Sequence, residues 1–282
     1  MTDGRAKIGV VAPGTRIEPA LAEKVKATAA ALYPDRAPEI QFHPQCFLSC
    51  GHFAGDDDAR AAAFAEIAND ERFDALWFAR GGYGACRLIE RLLPKLTDAA
   101  AGKTYLGYSD AGSLLAALYH RGFARIAHGP MAADVTRTGG EAAVARSLSY
   151  LVDSAEAALE PTVSPSTKTA AFNITILSTL LGTPYQPDLS DHVLMLEEVS
   201  EHMYRIDRSF FHITGNPGIR RVAGIMLGRC SGIPPNDPDF GQTEEAVARH
   251  WCEVSGIPYL GRADIGHDAG NKVVPFGALP RH

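Results

Sequence analysis

The first half of the chain alternates between two hydrophobic periods, and this alternation limits the folds open to it. Short apolar runs rich in β-branched and aromatic residues have the length and flanking turn residues of buried strands. Longer Ala-rich stretches with helical spacing separate them, as in a parallel sheet with helices on both faces. The strand candidates are KIGVVAPG, EIQFHP, ALWFARG, KTYLGYS and RIAHGP, and the helix candidates span about residues 18–32, 56–70, 84–93 and 111–121.

The second half resumes the alternation after a segment rich in Pro, Ser and Thr. Because 282 residues exceed the usual size of one domain, we expect two α/β domains. We predict a parallel-sheet domain of flavodoxin- or Rossmann-like type at 1–159, a linker at 160–170 and a smaller C-terminal α/β domain at 171–282. Further helices are predicted near 141–153 and 172–182, from about Tyr204 and at TEEAVARHWCEVSG, and strands at HVLMLEEV, RRVAGIML, IPYLG and VVPFG.

Composition and charge exclude several classes of function. A net charge of −6 and a pI near 5.9 provide no basic surface for phosphates, so nucleic acid is not an expected partner. No stretch approaches the ~20 apolar residues of a membrane span, and the N-terminus lacks the pattern of a secretory signal. Five cysteines, odd in number and mostly scattered, fit a reducing compartment. We therefore expect a cytoplasmic protein that acts on a small molecule or a peptide.

Two histidines near two cysteines raise the question of a metal site. His43 and His52 lie close in sequence to Cys46 and Cys50, but a second ligand cluster of zinc-finger type is absent from the sequence. We therefore expect neither a metal nor a cofactor.

The segment LGYSDAG places Ser109 where a predicted strand ends and a helix begins. A turn of this kind can expose the hydroxyl and direct the following backbone N–H groups towards a developing oxyanion. The segment departs from the G-x-S-x-G pattern of a nucleophile elbow, because Ala111 stands at the second glycine position. A serine in this place also commonly caps the next helix, so both interpretations stay open.

A second strand-to-helix junction, ARGGYGACRL, contains Gly81, Gly82 and Gly84. Glycines let a backbone approach a ligand closely. The spacing does not match G-x-G-x-x-G, and no Lys-Ser or Lys-Thr follows, which disfavours a nucleotide site. Two interpretations remain. The loop is either a tight turn without chemistry or part of an oxyanion hole beside Ser109, since strand ends of a parallel sheet share the edge where ligands bind.

Two acidic residues and two histidines supply the other candidates. In MLEEVSEHMYRIDR an apolar run ends at Glu197 and Glu198, and strand alternation points their side chains to opposite faces. At most one of them should face a given site, and solvated charge near a helix N-terminus is the alternative. In ADIGHDAG, His267 follows a predicted strand on a Gly-rich loop, where an imidazole suits general base catalysis. His128 also follows a strand and is a candidate for lining the same cleft.

Four segments occur in the same order as the motifs of a known family. GGYGACRL, GYSD, LEEVSEHMYRIDR and IGHDAGNKVVPFG resemble, one after another, the motifs of the LD-carboxypeptidases, serine peptidases also called muramoyltetrapeptide carboxypeptidases. The similarity runs from about residue 7 to Gly277. Glu198 stands where the family commonly has Asp, so the first acid of LEE is the better match to the family's carboxylate.

The resemblance implies a catalytic triad and an oxyanion hole. Ser109 matches the family's nucleophile, Glu197 its carboxylate and His267 its base. The family's oxyanion donors are backbone N–H groups, which correspond here to Asp110 and Gly82. With the nucleophile in the first domain and the other two residues in the second, the active site is expected in the cleft between the domains.

The resemblance also implies a substrate. It points to hydrolysis of the amide between the L-centre of a diamino acid and the terminal D-alanine of cytoplasmic murein tetrapeptides, in cell-wall recycling, by a homodimer. A related branch inactivates microcin C-type antibiotics and tends to carry an insertion between nucleophile and acid. Here only 88 residues separate 109 from 197, which favours the carboxypeptidase.

Two departures from the family pattern and one alternative class accompany this expectation. AAFN keeps Asn173 but replaces the family's usual glycines, and the chain ends soon after VVPFG. A non-catalytic α/β protein that binds a nucleotide or another ligand is the alternative from a different class.

Overall fold

The computed structural model of the protein describes residues 5–279, and no helix among them has both the length and the apolar character needed to span a bilayer. The strands are β1 (Lys7–Val11), β2 (Glu39–Phe42), β3 (Ala75–Phe78), β4 (Thr104–Gly107), β5 (Ile126–His128), β6 (Lys168–Asn173), β7 (His192–Val199), β8 (Gly224–Ser231), β9 (Tyr259–Arg262) and β10 (Val274–Pro275). The helices are α1 (Pro19–Leu32), α2 (Asp57–Asn69), α3 (Ile89–Leu92), α4 (Asp98–Ala101), α5 (Gly112–His120), α6 (Gly140–Asp153), α7 (Ile174–Leu180), α8 (Met203–Gly215) and α9 (Glu244–Ser255).

A six-stranded sheet organises the first half of the chain. Its strands lie in the order β10, β5, β4, β3, β1, β2, and all neighbours are parallel except β10 and β5. Helices cover both faces. Leu76 and Phe78 of β3 belong to an apolar cluster with α2 and α5, whereas Trp77 belongs to another with α1 and α6. Burial on both faces explains the continuous apolar runs, and the predicted parallel α/β sheet is confirmed.

A four-stranded parallel sheet organises the second half, in the order β6, β7, β8, β9. Apolar side chains of α7, α8 and α9 pack in one cluster with those of this sheet. The helix predicted near 172–182 begins later, because Lys168–Asn173 form β6 beside β7. The side chain of Asn173 then caps α7 by accepting a hydrogen bond from the backbone N–H of Ile176 at 3.1 Å.

The last described strand returns to the first sheet. The sequence predicts a strand at VVPFG in the C-terminal domain; the strand is present, but Val274 and Pro275 pair with β5. Pro275 has no N–H to donate and is tolerated because β10 is an edge strand. Thr169 and Gly277 exchange two backbone hydrogen bonds, at 2.9 and 3.1 Å, so the returning segment joins the two sheets. Hydrophobic periodicity reveals a strand but not its partner.

The carboxyl ends of β3 and β4 lie side by side at one edge of the first sheet. β3 leads into Gly81 and Gly82, and β4 leads into Tyr108 and Ser109. Open α/β sheets bind their ligands outside such strand ends. β7 of the second sheet carries Glu197 near its own carboxyl end, so the two sheets bring the predicted motifs towards one place.

Candidate active site

Ser109 lies in a strained turn between β4 and α5. Its backbone φ is 58°, in the left-handed region that residues other than glycine seldom occupy, and the 3₁₀ turn Ser109–Ala111 leads into the helix. Gly107 passes so close to Phe78 that an added Cβ would lie 2.3 Å from that ring. The close passage and the sharp turn place the serine hydroxyl at the edge of the sheet, as in a nucleophile elbow.

A chain of two hydrogen bonds joins the serine to a histidine and a carboxylate. The Oγ of Ser109 lies 3.0 Å from Nε2 of His267, and Nδ1 of that ring lies 2.5 Å from Oε2 of Glu197. The serine follows β4, the glutamate lies in β7, and the histidine lies between β9 and β10. The structure thus brings together the three side chains that the motifs predict. In this order, they can deprotonate the hydroxyl and stabilise the resulting imidazolium.

The two adjacent acids of β7 have different partners. Glu197 is fully buried and faces His267. The carboxylate of Glu198 instead accepts hydrogen bonds from the side-chain amide of Asn173 at 2.6 Å and from the N–H and hydroxyl of Thr175 at 2.9 and 2.8 Å. As the alternation of a strand predicts, only one of the two acids serves the histidine, and the other anchors the start of α7.

Burial and charge act in opposite directions on the pair of His267 and Glu197. Burial raises the pKa of Glu197 above its usual value, and the neighbouring imidazole opposes this effect. Burial lowers the pKa of His267, but the charge and hydrogen bond of Glu197 outweigh it, with a smaller contribution from Glu198 and opposition from Arg137. The pKa of His267 therefore lies above its usual 6.5. A more basic imidazole suits removal of a hydroxyl proton.

Polar groups that the sequence analysis did not single out hold the His267 loop in place. Arg137 donates hydrogen bonds to the backbone carbonyl of His267 at 2.6 Å and to Asp134 at 2.7 Å. The hydroxyl of Tyr108 donates to the same carboxylate at 2.9 Å, and its ring centroid lies 4.9 Å from that of the imidazole. The position of Tyr108 directly before the serine was the only signal available in the sequence.

His128 is buried, so it does not line a cleft open to a substrate. It is 1% exposed, and its Nε2 lies 3.2 Å from the side-chain oxygen of Asn271. Burial lowers the pKa of His128 to about 3, so the ring is neutral at physiological pH. The same oxygen of Asn271 accepts a hydrogen bond from the N–H of Gly266, the residue before His267. His128 therefore helps to support the histidine loop from below.

The glycine loop after β3 packs directly against the serine. A Cβ at Gly81 would lie 3.0 Å from both Cβ and Oγ of Ser109, so a side chain there would displace the hydroxyl. Gly82 has a φ of 91°, and a Cβ there would lie 2.8 Å from the Thr15 hydroxyl. That hydroxyl donates to the carbonyl of Gly81 at 3.2 Å. The loop is therefore held with its backbone beside the place where an oxyanion would form.

Of the histidines and cysteines near residues 43–52, His43 has partners of its own. Nε2 of His43 pairs with Glu66 at 3.0 Å, and its Nδ1 accepts from the N–H of Gln45 at 3.1 Å. Cys46 is buried and Cys50 is exposed. Across residues 5–279, no group of three or more His, Cys, Asp or Glu side chains is arranged to hold a metal ion.

Two family models match the chain, and so do several curated relatives. The models describe the N-terminal domain of the LD-carboxypeptidases, over residues 8–129, and their C-terminal domain, over residues 168–281. A relative from Synechocystis sp. is 30% identical over 250 residues, which cover 81% of this chain and 76% of that protein. The murein tetrapeptide carboxypeptidase of Pseudomonas aeruginosa is 26% identical over 220 residues, 72% of this chain and 70% of that protein.

Several solved structures share the fold. The muramoyltetrapeptide carboxypeptidase from Oxalobacter formigenes has a TM-score of 0.78 at 23% identity and covers 95% of this chain and 93% of its own. The microcin C7 self immunity protein MccF in complex with aspartyl sulfamoyl adenosine has a TM-score of 0.79 at 16% identity and covers 96% of this chain and 91% of its own. With the models of both domains matched in order, the protein belongs to the LD-carboxypeptidase family and is a hydrolase of the peptidase class.

Proposed function

We propose that the protein is a serine-type LD-carboxypeptidase in which Ser109, His267 and Glu197 form the catalytic triad. The observation that carries the proposal is the continuous chain of hydrogen bonds from hydroxyl through imidazole to carboxylate, at 3.0 and 2.5 Å. Ser109 follows β4 of the first sheet, Glu197 lies in β7 of the second, and His267 lies between β9 and β10. The carboxylate is wholly buried. A buried carboxylate hydrogen-bonded to an imidazole that contacts a serine in a strained turn is the arrangement that activates a weak nucleophile.

In the proposed reaction, His267 takes the hydroxyl proton of Ser109 as its Oγ attacks the carbonyl carbon of the scissile amide. Glu197 accepts the hydrogen bond of Nδ1, which keeps Nε2 free as the base and stabilises the imidazolium. The imidazolium gives its proton to the nitrogen of the departing D-alanine, and the C–N bond breaks to leave an acyl-enzyme. Water, activated by the same base, then cleaves the ester, releases the shortened peptide and restores the serine hydroxyl.

The backbone N–H groups of Gly82 and Asp110 are the proposed donors to the oxyanion. Gly82 follows Gly81, where an added Cβ would lie 3.0 Å from Oγ of Ser109. Within residues 5–279, the N–H of Gly82 donates no hydrogen bond to another residue. Asp110 follows the nucleophile in the 3₁₀ turn that opens α5. Donors of this kind typically lower the barrier by ~2.7–4 kcal/mol each, because they meet charge that develops only in the transition state.

The proposed substrate is a murein tetrapeptide, cut between the L-centre of its diamino acid and the terminal D-alanine. We place this activity in the cytoplasm, in recycling of the cell wall. The similarity to the murein tetrapeptide carboxypeptidase of Pseudomonas aeruginosa supports this substrate. The compact spacing of 88 residues between nucleophile and acid supports it as well, since the antibiotic-inactivating branch tends to carry an insertion there.

Incubation of the protein with a murein tetrapeptide, followed by mass spectrometry, tests the proposal. We expect loss of one terminal D-alanine and no further shortening. The matched control is the same peptide ending in L-alanine, which should remain intact because the leaving group then has the wrong chirality. Absence of release, or equal release from both peptides, would contradict LD-carboxypeptidase activity.

A second candidate function is inactivation of microcin C-type antibiotics, which the likeness in fold to MccF favours. Aspartyl sulfamoyl adenosine in the same assay separates the two. We expect slower hydrolysis of this compound than of the tetrapeptide. Faster hydrolysis of the sulfamoyl adenosine would instead identify an immunity amidase.

The pH dependence of kcat/KM should follow the ionisation of His267. Imidazolium cannot accept a proton from Ser109, so activity is present above the pKa of this histidine and is lost as pH falls through it. Because Glu197 raises that pKa above 6.5, the loss should be centred above pH 6.5. Glu197→Gln removes the negative charge beside His267 but leaves the ring buried. Because burial lowers the pKa of an imidazole, His267 should titrate at lower pH in the variant. An NMR titration of the ring in both proteins measures this shift without requiring activity, and an unchanged pKa would contradict the assignment.

A further inference from the structure

A pocket of about 530 Å³ adjoins the glycine loop beside the proposed active site. The triad does not line this pocket. Thr15, which does line it, donates a hydrogen bond from its hydroxyl to the backbone carbonyl of Gly81. Thr136 also lines the pocket and directly precedes Arg137, which donates a hydrogen bond to the backbone carbonyl of His267. The charged or ionisable side chains that line the pocket are Arg16, Glu18, His52 and Arg80.

Arg80 supplies the uncommitted positive charge of this pocket. It directly precedes Gly81, is exposed, and across residues 5–279 makes no ion pair. Its Nη1 donates a hydrogen bond to the backbone carbonyl of Arg16 at 3.3 Å. Arg16 itself pairs with the exposed carboxylate of Glu18 at 3.3 Å. Because a guanidinium carries five N–H donors, that of Arg80 keeps most of its capacity for a ligand.

Three other arginines around the proposed active site, unlike Arg80, have carboxylate partners within the chain. Their charge is already neutralised, and their donors are already directed, by the protein itself. Arg137 pairs with Asp134, Arg229 with Asp264 and Asp268, and Arg87 with Asp57.

The ligand chemistry that suits an unpaired guanidinium is a carboxylate, which it can bind through two parallel hydrogen bonds. A murein tetrapeptide carries several free carboxylates, and a protein of net charge −6 repels an anionic peptide unless a local positive charge offsets this. We propose that the pocket lined by Arg80 and Arg16 binds a free carboxylate of the peptide substrate. This inference rests on the proposed carboxypeptidase function and adds a specificity subsite to it.

The glycine loop connects this subsite to the nucleophile. A Cβ at Gly81 would lie 3.0 Å from Oγ of Ser109, and the Cα atoms of Arg80 and Gly81 are ~3.8 Å apart as neighbours in the chain. A carboxylate held by Arg80 therefore belongs to a residue near the scissile amide. Three carboxylates of the tetrapeptide meet this condition. They are the terminal one of D-alanine, that on the side chain of meso-diaminopimelate, and the α-carboxylate of the γ-linked D-glutamate.

Steady-state kinetics of wild type and Arg80→Gln on four peptides test the inference. One peptide is the complete tetrapeptide, and the others each lack one carboxylate: D-alanine amide replaces D-alanine, L-lysine replaces diaminopimelate, or D-isoglutamine replaces D-glutamate. We expect Arg80→Gln to lower kcat/KM on the complete peptide by about 10- to 100-fold, mainly through KM, as for loss of a charge-assisted hydrogen bond. On the peptide that lacks the carboxylate bound by Arg80, wild type and Arg80→Gln should have equal kcat/KM. That peptide therefore identifies the bound carboxylate. Arg80→Lys, which keeps the charge, should recover part of the loss.

Arg72→Gln is the matched control, because Arg72 precedes β3 at the opposite end of the strand, is exposed and pairs with Asp70. It should leave the kinetics on all four peptides unchanged. The subsite is overturned if wild type releases D-alanine while Arg80→Gln is as active as wild type, or is slowed equally on every peptide. Failure of wild type to release D-alanine from any peptide is a different result, which overturns the proposed function and the subsite with it.

Discussion

Ser109→Ala is expected to lower kcat for D-alanine release by about 10⁴- to 10⁶-fold, because the variant has no nucleophile for His267 to activate. Within residues 5–279, the serine hydroxyl has a hydrogen bond to His267 alone, so the substitution removes no contact on which the fold depends. The variant should therefore unfold near the wild-type temperature. Mass spectrometry of the tetrapeptide over extended times measures the residual rate, and thermal unfolding measures stability.

Ser149→Ala is a matched control for this loss. Ser149 lies in α6, where its hydroxyl donates to the backbone carbonyl of Arg146 at 2.9 Å and not to a residue of the proposed triad. Its activity should equal that of wild type. Wild-type activity of Ser109→Ala would show that D-alanine release does not depend on this hydroxyl and would remove the triad from consideration.

Glu197→Gln should lower kcat by about 10³- to 10⁴-fold, the second largest effect expected. A neutral amide cannot stabilise the imidazolium of His267, and it can hold the ring in the wrong tautomer. The free energy of unfolding should not fall. Burial already disfavours the ionised form of Glu197, as its raised pKa indicates, whereas a glutamine amide carries no charge to desolvate. Single-turnover kinetics and thermal unfolding together measure both consequences.

Glu198→Gln, in contrast to Glu197→Gln, should lower stability and leave kcat nearly unchanged. The carboxylate of Glu198 accepts hydrogen bonds from Asn173 and Thr175, and replacing it by an amide weakens contacts that anchor α7. We expect a loss of roughly 1–3 kcal/mol of stability, with kcat of the folded protein within about tenfold of wild type. If Glu198→Gln were inactive and Glu197→Gln active, the two acids would have exchanged roles.

The sequence by itself determined the fold class and the segments that carry the site. Apolar runs of strand length alternate with helical spacing because both faces of the first sheet are covered by helices, and this pattern is local. Ser109 and the Gly81–Gly82 loop follow strands, and parallel strands end at a common edge, so their proximity was predictable as well. His267 and Glu197 were assigned by resemblance of their motifs, since nothing in their spacing joins a histidine to a carboxylate 70 residues earlier.

Only the tertiary structure decided which groups contact one another across the two sheets. It separates Glu197 from Glu198 by their partners, supports the histidine loop with Arg137, and returns β10 to the first sheet. It also leaves Arg80 without a carboxylate partner among residues 5–279, beside a pocket whose walls come from distant parts of the chain. The physical reason is the same in each case. Hydrophobic period and turn chemistry act between neighbours in sequence, whereas ion pairs, buried hydrogen bonds and pockets form between residues that meet only after the sheets have packed.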